Sequence, residues 1–162
     1  MKIHIAGRVR MKHNDLELVI RDAEESDSDS VAILLQELGY RQTSSFVAKK
    51  IRKLSKRIKD RIIVAVKKSQ VVGVVSLHIL PLLHQKGNLC RVTAIAVSKN
   101  HRGEHIGRRL MEVTEAYAKS NKCFKVEITS GDYRSDAHTF YQKLGYKEVS
   151  RRFVKILETS VD

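Results

Sequence analysis

The sequence predicts a mixed α/β fold in which one sheet, partly antiparallel and partly parallel, carries helices on its faces. Three observations predict it. Apolar residues at helical spacing (Val31, Leu34, Leu35 and Leu38, then Ile106, Leu110, Val113 and Tyr117) alternate with short β-branched runs. Residues 92–128 read strand, helix, strand, a unit that closes as a right-handed parallel crossover. Residues 62–66 and 71–79 flank the polar tetrad Lys67-Lys68-Ser69-Gln70, which makes them an antiparallel hairpin. A length of 162 residues suits one domain, expected over 15–162 behind a basic, weakly patterned N-terminal extension at 1–14.

Each element has its own signal. Residues 16–21 (Leu-Glu-Leu-Val-Ile-Arg) alternate as a first strand, and residues 24–30 offer several N-caps for the helix ending at Gly39. A second helix carries Val47, Ile51, Leu54 and Ile58 on one stripe with lysines and arginines around it. Gly73 suggests a bulge in the strand 71–79. Residues 80–88, with Pro81 and Gly87, form a loop. Residues 92–97 are apolar apart from Thr93, as a strand buried on both faces requires. Phe124, Val126 and Ile128 alternate as a strand, Ala137, Phe140, Tyr141 and Leu144 mark a short helix closed by Gly145, and strands near 146–149 and 153–157 complete the order β-α-α-β-β-β-α-β-α-β-β.

Composition narrows the function classes. No apolar run approaches the ~20 residues that cross a bilayer, and residues 1–10 have no apolar block of a secretory signal. Two cysteines, Cys90 and Cys123, make no disulfide framework, and no Cys/His group has metal-ligand spacing, so a reduced cytoplasmic protein without metal is expected. Lys plus Arg number 31 against 18 Asp plus Glu, a net charge of +13. Such a surplus suits an acidic partner, a phosphorylated ligand or nucleic acid. It is uneven: residues 15–37 hold eight acids and one base, residues 41–68 eleven bases and one acid.

The segment with most chemistry is 97–110. A buried strand ends, a glycine-containing turn follows, and a helix begins; helix N-termini present free N–H groups to anions. Gly103 and Gly107 keep side chains clear, and Arg102, Arg108 and Arg109 bring charge. Neither a P-loop nor a dinucleotide fingerprint is present. The turn alone fits a phosphate site and an ordinary basic strand–helix connection equally.

The run Arg102-Gly103-Glu104-His105-Ile106-Gly107-Arg108-Arg109-Leu110 resembles motif A of the GNAT acetyltransferases, (R/Q)-x-x-G-x-(G/A), and Ile95-Ala96-Val97 resembles the strand before it. Residues 137–146, Ala-His-Thr-Phe-Tyr-Gln-Lys-Leu-Gly-Tyr, resemble the family's A-x-x-F-Y-x-x-x-G-(F/Y) segment, and the element order is the family's. The resemblance covers about residues 16–157. It implies an acetyl-CoA-dependent N-acetyltransferase acting on a primary amine. The main chain of Ile95, Ala96 and Val97 would hold the pantetheine arm, and the N–H groups of Gly103, Glu104, His105, Ile106, Gly107 and Arg108, with Arg102 beside them, the pyrophosphate. A main-chain N–H of residues 92–97 would receive the oxyanion. Tyr141 would be the general acid for the leaving thiolate, although its stripe also suits a core position.

The base is open. Residues 90–93 (Cys-Arg-Val-Thr) lack the carboxylate that many family members carry there; His78 and His84, flanking the 80–88 loop, are the candidates for base or relay. His105 replaces the motif's glycine and either crowds the pyrophosphate or pairs with it. Lys99 replaces a usual proline, and Gly131 and Asp132 stand where an asparagine is common. The acceptor is equally open: an aminoglycoside (suggested by the Pro81-Leu82-Leu83-His84 loop), a polyamine or a protein amine. Dimers are common in the family, and a homodimer is compatible with the resemblance. Two other readings remain: a CoA-binding module without catalysis, and nucleic-acid binding through residues 49–61, which has just Phe46 as aromatic support.

Overall fold

The computed structural model describes residues 18–130, 135–149 and 153–157. The N-terminal extension at 1–14, the first two residues of the expected opening strand, and Gly131 and Asp132 lie outside them. The chain divides into two compact units, Met1–Thr129 and Ser130–Asp162.

The first unit runs β1 (Leu18–Asp22), a 3-10 turn (Glu25–Asp27), α1 (Ser28–Glu37), α2 (Ser44–Ser55), β2 (Asp60–Lys67), β3 (Gln70–Pro81), β4 (Asn88–Val97), a second 3-10 turn (Lys99–His101), α3 (Ile106–Ser120) and β5 (Cys123–Ile128). The second unit contains α4 (Ser135–Lys143). The sheet order is β1-β2-β3-β4-β5. The first three pairings are antiparallel, and β4 pairs with β5 in parallel across α3, as the crossover requires.

Alternation along the strands sorts the two faces. Val64, Val74 and Ala96 pack with Val31, Ala32, Leu34, Val47 and Ile51 from α1 and α2. Gly73, one residue out of phase with Val74, faces α3 instead: a Cβ there would stand 3.1 Å from Ile106 Cγ2 and 3.1 Å from Leu110 Cδ1. The glycine lets α3 press directly onto β3. Ile106, Leu110, Met111, Thr114 and Ala118 are the buried side of α3, and Thr114 meets its own polar need by donating to Leu110 O at 2.9 Å.

Helix ends follow local chemistry. Thr43 caps α2 by accepting the Phe46 N–H at 3.2 Å. α1 ends with Gly39 at φ 94°, its N–H on Gln36 O and that of Tyr40 on Leu35 O, both 2.9 Å. α4 repeats the pattern with Gly145 at φ 87°, bonding Gln142 O at 2.9 Å while Tyr146 bonds Tyr141 O at 3.0 Å. Both are Schellman endings, and each closes a Leu-Gly-Tyr sequence.

Several expectations need correction. β3 and β4 are longer than their apolar runs, so the connection shrinks to 82–87. The bulge falls on Val72, skipped between the pairs Ala65–Gly73 and Val66–Val71, with Gly73 beside it. Ile58 leaves the stripe of α2 and is 85% exposed, because the helix ends at Ser55 so that the chain can enter β2. Among the described residues, 146–149 and 153–157 form no strand; their apolar alternation supplies propensity, but a strand exists only with a ladder partner. Ion pairs join the acidic segment 15–37 to the basic segment 41–68. Arg52 pairs with Glu25, and Arg61 with Asp22, across them. Arg21 and Asp27 form a bidentate pair at 2.7 and 2.9 Å.

Candidate active site

A second irregularity sits in β4. Ser76 pairs with Ala94 and Leu77 with Val92, so Thr93 is the extra residue. The β4–β5 pairing stops at the same place, its last pair being Val92–Ile128. From Thr93 to Val97, among the described residues, β4 pairs with β3 and no longer with β5, and a gap opens between β4 and β5. Ser98 N–H donates to Val72 O at 2.9 Å, which sets the phase of the β3–β4 ladder. In that phase the main chain of Ala96 is directed to Val74, while the N–H and C=O groups of Ile95 and Val97 face the gap. Of the three residues singled out, two therefore offer the gap their main chain and the third secures the strand.

The gap leads to the turn before α3. Arg102 is extended, Gly103 has φ 81°, and His105 has φ 59° as the N-cap residue of α3. The first helical hydrogen bond runs from Arg109 N to His105 O at 3.1 Å. Among the described residues the N–H groups of residues 103–108 have no acceptor. A Cβ on Gly103 would meet nothing within 4 Å, and Arg102 and Arg108 are exposed without an ion pair among the described residues. The result is a run of unused donors at the positive end of a helix, an anion cradle. His105 takes a left-handed conformation that favours glycine, which explains the motif's glycine at this position. Its side chain is exposed and makes no polar contact among the described residues.

Neighbours fix the turn in place. Glu37 on α1 accepts the Lys99 N–H at 3.0 Å. Glu104 pairs with Lys67 at 2.7 Å and lies 3.3 Å from His101; first Lys67, then His101, hold its carboxyl below the usual range. Ile106, 2% exposed, anchors the helix start on the sheet.

The two histidines have different surroundings. His84 lies in the exposed 82–87 turn with no polar partner among the described residues. His78 on β3 lies beside the bulge: Nδ1 is 2.9 Å from Asp60 Oδ1 and Nε2 is 3.1 Å from Thr93 Oγ1. Asp60, 7% exposed, forms an ion pair with Arg57 at 2.8 Å. Arg91 is opposite His78 in the ladder and pairs with Glu127 at 3.3 Å. Tyr141 lies on α4 in the second unit, edge-on to Phe140 (centroids 5.3 Å apart) and to Tyr146 (6.1 Å). Sequence reasoning missed Asp60 and Thr93. Counting back along the β2–β3 hairpin from its turn brings Asp60 opposite Leu77, and the bulge at Val72 moves the pairing on to His78; nothing local marks Thr93 as a bulge.

Comparison with known proteins decides the family. Residues 59–148, more than half the chain, match the family model described as an acetyltransferase (GNAT) domain. The chain is a GNAT acetyltransferase. It is 31% identical over 143 residues to the aminoalkylphosphonate N-acetyltransferase of Salmonella typhimurium, covering 85% of this chain and 90% of that protein. Solved structures agree on the fold. A Bacillus halodurans transcriptional regulator superposes with a TM-score of 0.78 at 23% identity, covering 87% of this chain and 99% of that one. A Trypanosoma brucei acetyltransferase superposes with a TM-score of 0.73 at 25% identity, covering 87% and 100%. The GNAT turn before α3 and the parted β4–β5 pair lie within the matched region. Among the described residues no group of three His, Cys, Asp or Glu could hold a metal ion.

Proposed function

We propose that this GNAT enzyme moves an acetyl group from acetyl-CoA to the primary amine of a small anionic acceptor of the aminoalkylphosphonate class. One observation carries the acetyl-CoA part: a strand edge with two residues' main-chain groups unused runs straight into a turn whose successive N–H groups are unused. An extended amide-bearing arm needs the first and a pyrophosphate needs the second. Ile95 and Val97 would hold the arm as a sheet partner would. Residues 103–108 would donate to the pyrophosphate, and Arg102 and Arg108 would add charge.

Direct transfer then asks for three groups. A base frees the amine, a donor meets the oxyanion that forms at the thioester carbonyl, and an acid protonates the departing thiolate. The N–H of Ile95 faces the gap and suits the second task. By its resemblance to the A-x-x-F-Y segment, Tyr141 would serve the third. The anionic acceptor is supported by the Salmonella relative's specificity, by the charge of +13, and by Arg57 and Arg91 flanking His78 on the α1/α2 face of the sheet.

Thiol release from acetyl-CoA in the presence of 2-aminoethylphosphonate tests this reading. Steady turnover is predicted, with little from ethanolamine, which lacks the phosphonate. Tyr141→Phe should lower kcat by about 10²-fold without changing the acetyl-CoA Kd. Bound acetyl-CoA with no thiol release from either amine would remove the acceptor assignment.

A further inference from the structure

We propose that Asp60, His78 and Thr93 form a proton relay that removes the proton from the acceptor's ammonium. The proposal rests on the acetyltransferase reading above and supplies the base that residues 90–93 lack.

Position is the first argument. The last β4–β5 pair is Val92–Ile128, so Thr93 marks the closed end of the gap. The anion cradle lies past the opposite end, after Val97. Four residues of strand between them span about 13 Å, so an arm anchored at the cradle and running back along β4 brings its acyl end to Thr93. His78, joined to Thr93 at 3.1 Å, is therefore the histidine at the reacting end. His84 lies four residues before the N-terminal end of β4 and nine residues before Thr93.

Hydrogen bonding is the second. Asp60 accepts from His78 Nδ1 at 2.9 Å, which leaves Nε2 bare and directed at Thr93. Arg57 pairs with the other Asp60 oxygen at 2.8 Å. The Thr93 hydroxyl reaches Ser76 O at 3.4 Å and Ser76 Oγ at 3.3 Å as a donor; turned to Nε2 it carries its proton there, and its lone pairs remain for the incoming ammonium. The charged groups around His78 are Asp60 from β2, Arg57 from the turn before it and Arg91 from β4.

The step balances. The Thr93 proton passes to His78 Nε2 as an ammonium proton passes to Thr93 Oγ1. The freed amine attacks the acetyl carbon, the new N–C bond forms, and the C–S bond breaks. The thiolate is protonated as it leaves. His78, with its side chain 22% exposed, releases its proton to solvent, the nitrogen of the tetrahedral adduct releases its second proton to solvent, and the proton given to the thiolate is resupplied from solvent, so one proton is released per turnover. Thr93 touches the substrate; Asp60 is a positioning residue that fixes the tautomer and stabilises the imidazolium.

The test measures kcat/KM against pH with acetyl-CoA and 2-aminoethylphosphonate, alongside melting temperature and acetyl-CoA Kd for each variant. His78→Gln and Thr93→Val should lose about 10²-fold at neutral pH with acetyl-CoA Kd unchanged. In both, activity should climb with pH toward the amine's own pKa, about 10 by analogy with lysine. Thr93→Ser should restore activity to within about three-fold, a rescue that a packing role does not predict. Asp60→Asn should lower kcat/KM with acetyl-CoA Kd unchanged, because His78 loses the acceptor that holds its Nδ1. If the wild type turns over and folded His78→Gln or Thr93→Val keeps its rate and pH profile, the relay is overturned while the acetyltransferase reading stands. If the wild type neither binds acetyl-CoA nor releases thiol, both fall.

Discussion

Replacing Gly73 by alanine inserts one methyl group between β3 and the first turn of α3. Its carbon would stand 3.1 Å from Ile106 Cγ2, 3.1 Å from Leu110 Cδ1 and 3.3 Å from Ala96 O. Each is a few tenths of an ångström too close. Ala96 is tied to Val74 in the ladder and cannot retreat, and Ile106 and Leu110 are 2% and 0% exposed, so they have no solvent side to move into. Overpacking of this kind costs about 1–3 kcal/mol. The loss of glycine freedom in the unfolded chain returns about 0.4–1 kcal/mol, leaving a net cost of about 1 kcal/mol. In a chain of this size that lowers the melting temperature by about 2–4 °C. Valine adds two more carbons, and its cost should rise to about 3 kcal/mol. Because Ile106 opens the helix whose first N–H groups complete the cradle, Gly73→Val should also weaken acetyl-CoA binding. Thermal unfolding with and without acetyl-CoA reads both effects. A Gly73→Ala protein as stable as wild type, or a Gly73→Val protein with wild-type acetyl-CoA affinity, would refute the coupling of this packing contact to the cradle.

Other predictions follow from single residues. His105→Gly should be more stable than His105→Ala by about 1 kcal/mol, since an exposed side chain at φ 59° contributes strain and no contact; equal melting temperatures would show a compensating contact in the histidine site. The β2–β3 turn places Lys68 at φ 47° and Ser69 at φ 64°, so Lys68→Asn with Ser69→Gly should raise stability by about 1 kcal/mol, read as a higher urea midpoint with unchanged slope. Burial alone would raise the Asp27 carboxyl, but Arg21 and the Glu24 N–H outweigh it and hold it below its ordinary value. Its contribution is therefore full above the unfolded pKa of about 3.9 and lost as pH falls through the lower folded value. Asp27→Asn should cost about 2 kcal/mol at neutral pH and less in acid; a cost that is constant with pH would contradict this origin.

Much of the fold is legible because local signals and tertiary demands agree. The two Leu-Gly-Tyr sequences end helices through the same hydrogen bonds, the Lys67–Gln70 turn is a two-residue hairpin, and the β-branched runs locate the central strands. Periodicity fails where a partner decides. Ile58 continues the α2 stripe on paper, but the chain has to turn into β2. Residues 153–157 alternate without pairing. Gly73 reads as a bulge signal, yet it is conditioned by a helix 33 residues away in sequence that approaches within van der Waals distance. The site divides the same way. The cradle is contiguous, so residues 102–108 show it directly. The gap depends on where β5 stops pairing, and the relay depends on hairpin register plus a bulge, so Asp60 and Thr93 carry no mark in their own neighbourhoods. The register also assigns different tasks to neighbours that look alike, turning Ile95 and Val97 to the gap and Ala96 into the sheet.

The central claim is that the β4 edge and the turn before α3 together bind acetyl-CoA. A thermal-shift titration with acetyl-CoA, using ATP as the phosphate control, tests it most directly. At about 100 times its Kd the ligand should add about 2.7 kcal/mol, which for a chain of this length raises the melting temperature by roughly 5–11 °C. ATP, which meets the cradle but has no arm for the strand edge, should add much less. No shift with saturating acetyl-CoA, or an equal shift with ATP, would contradict the account.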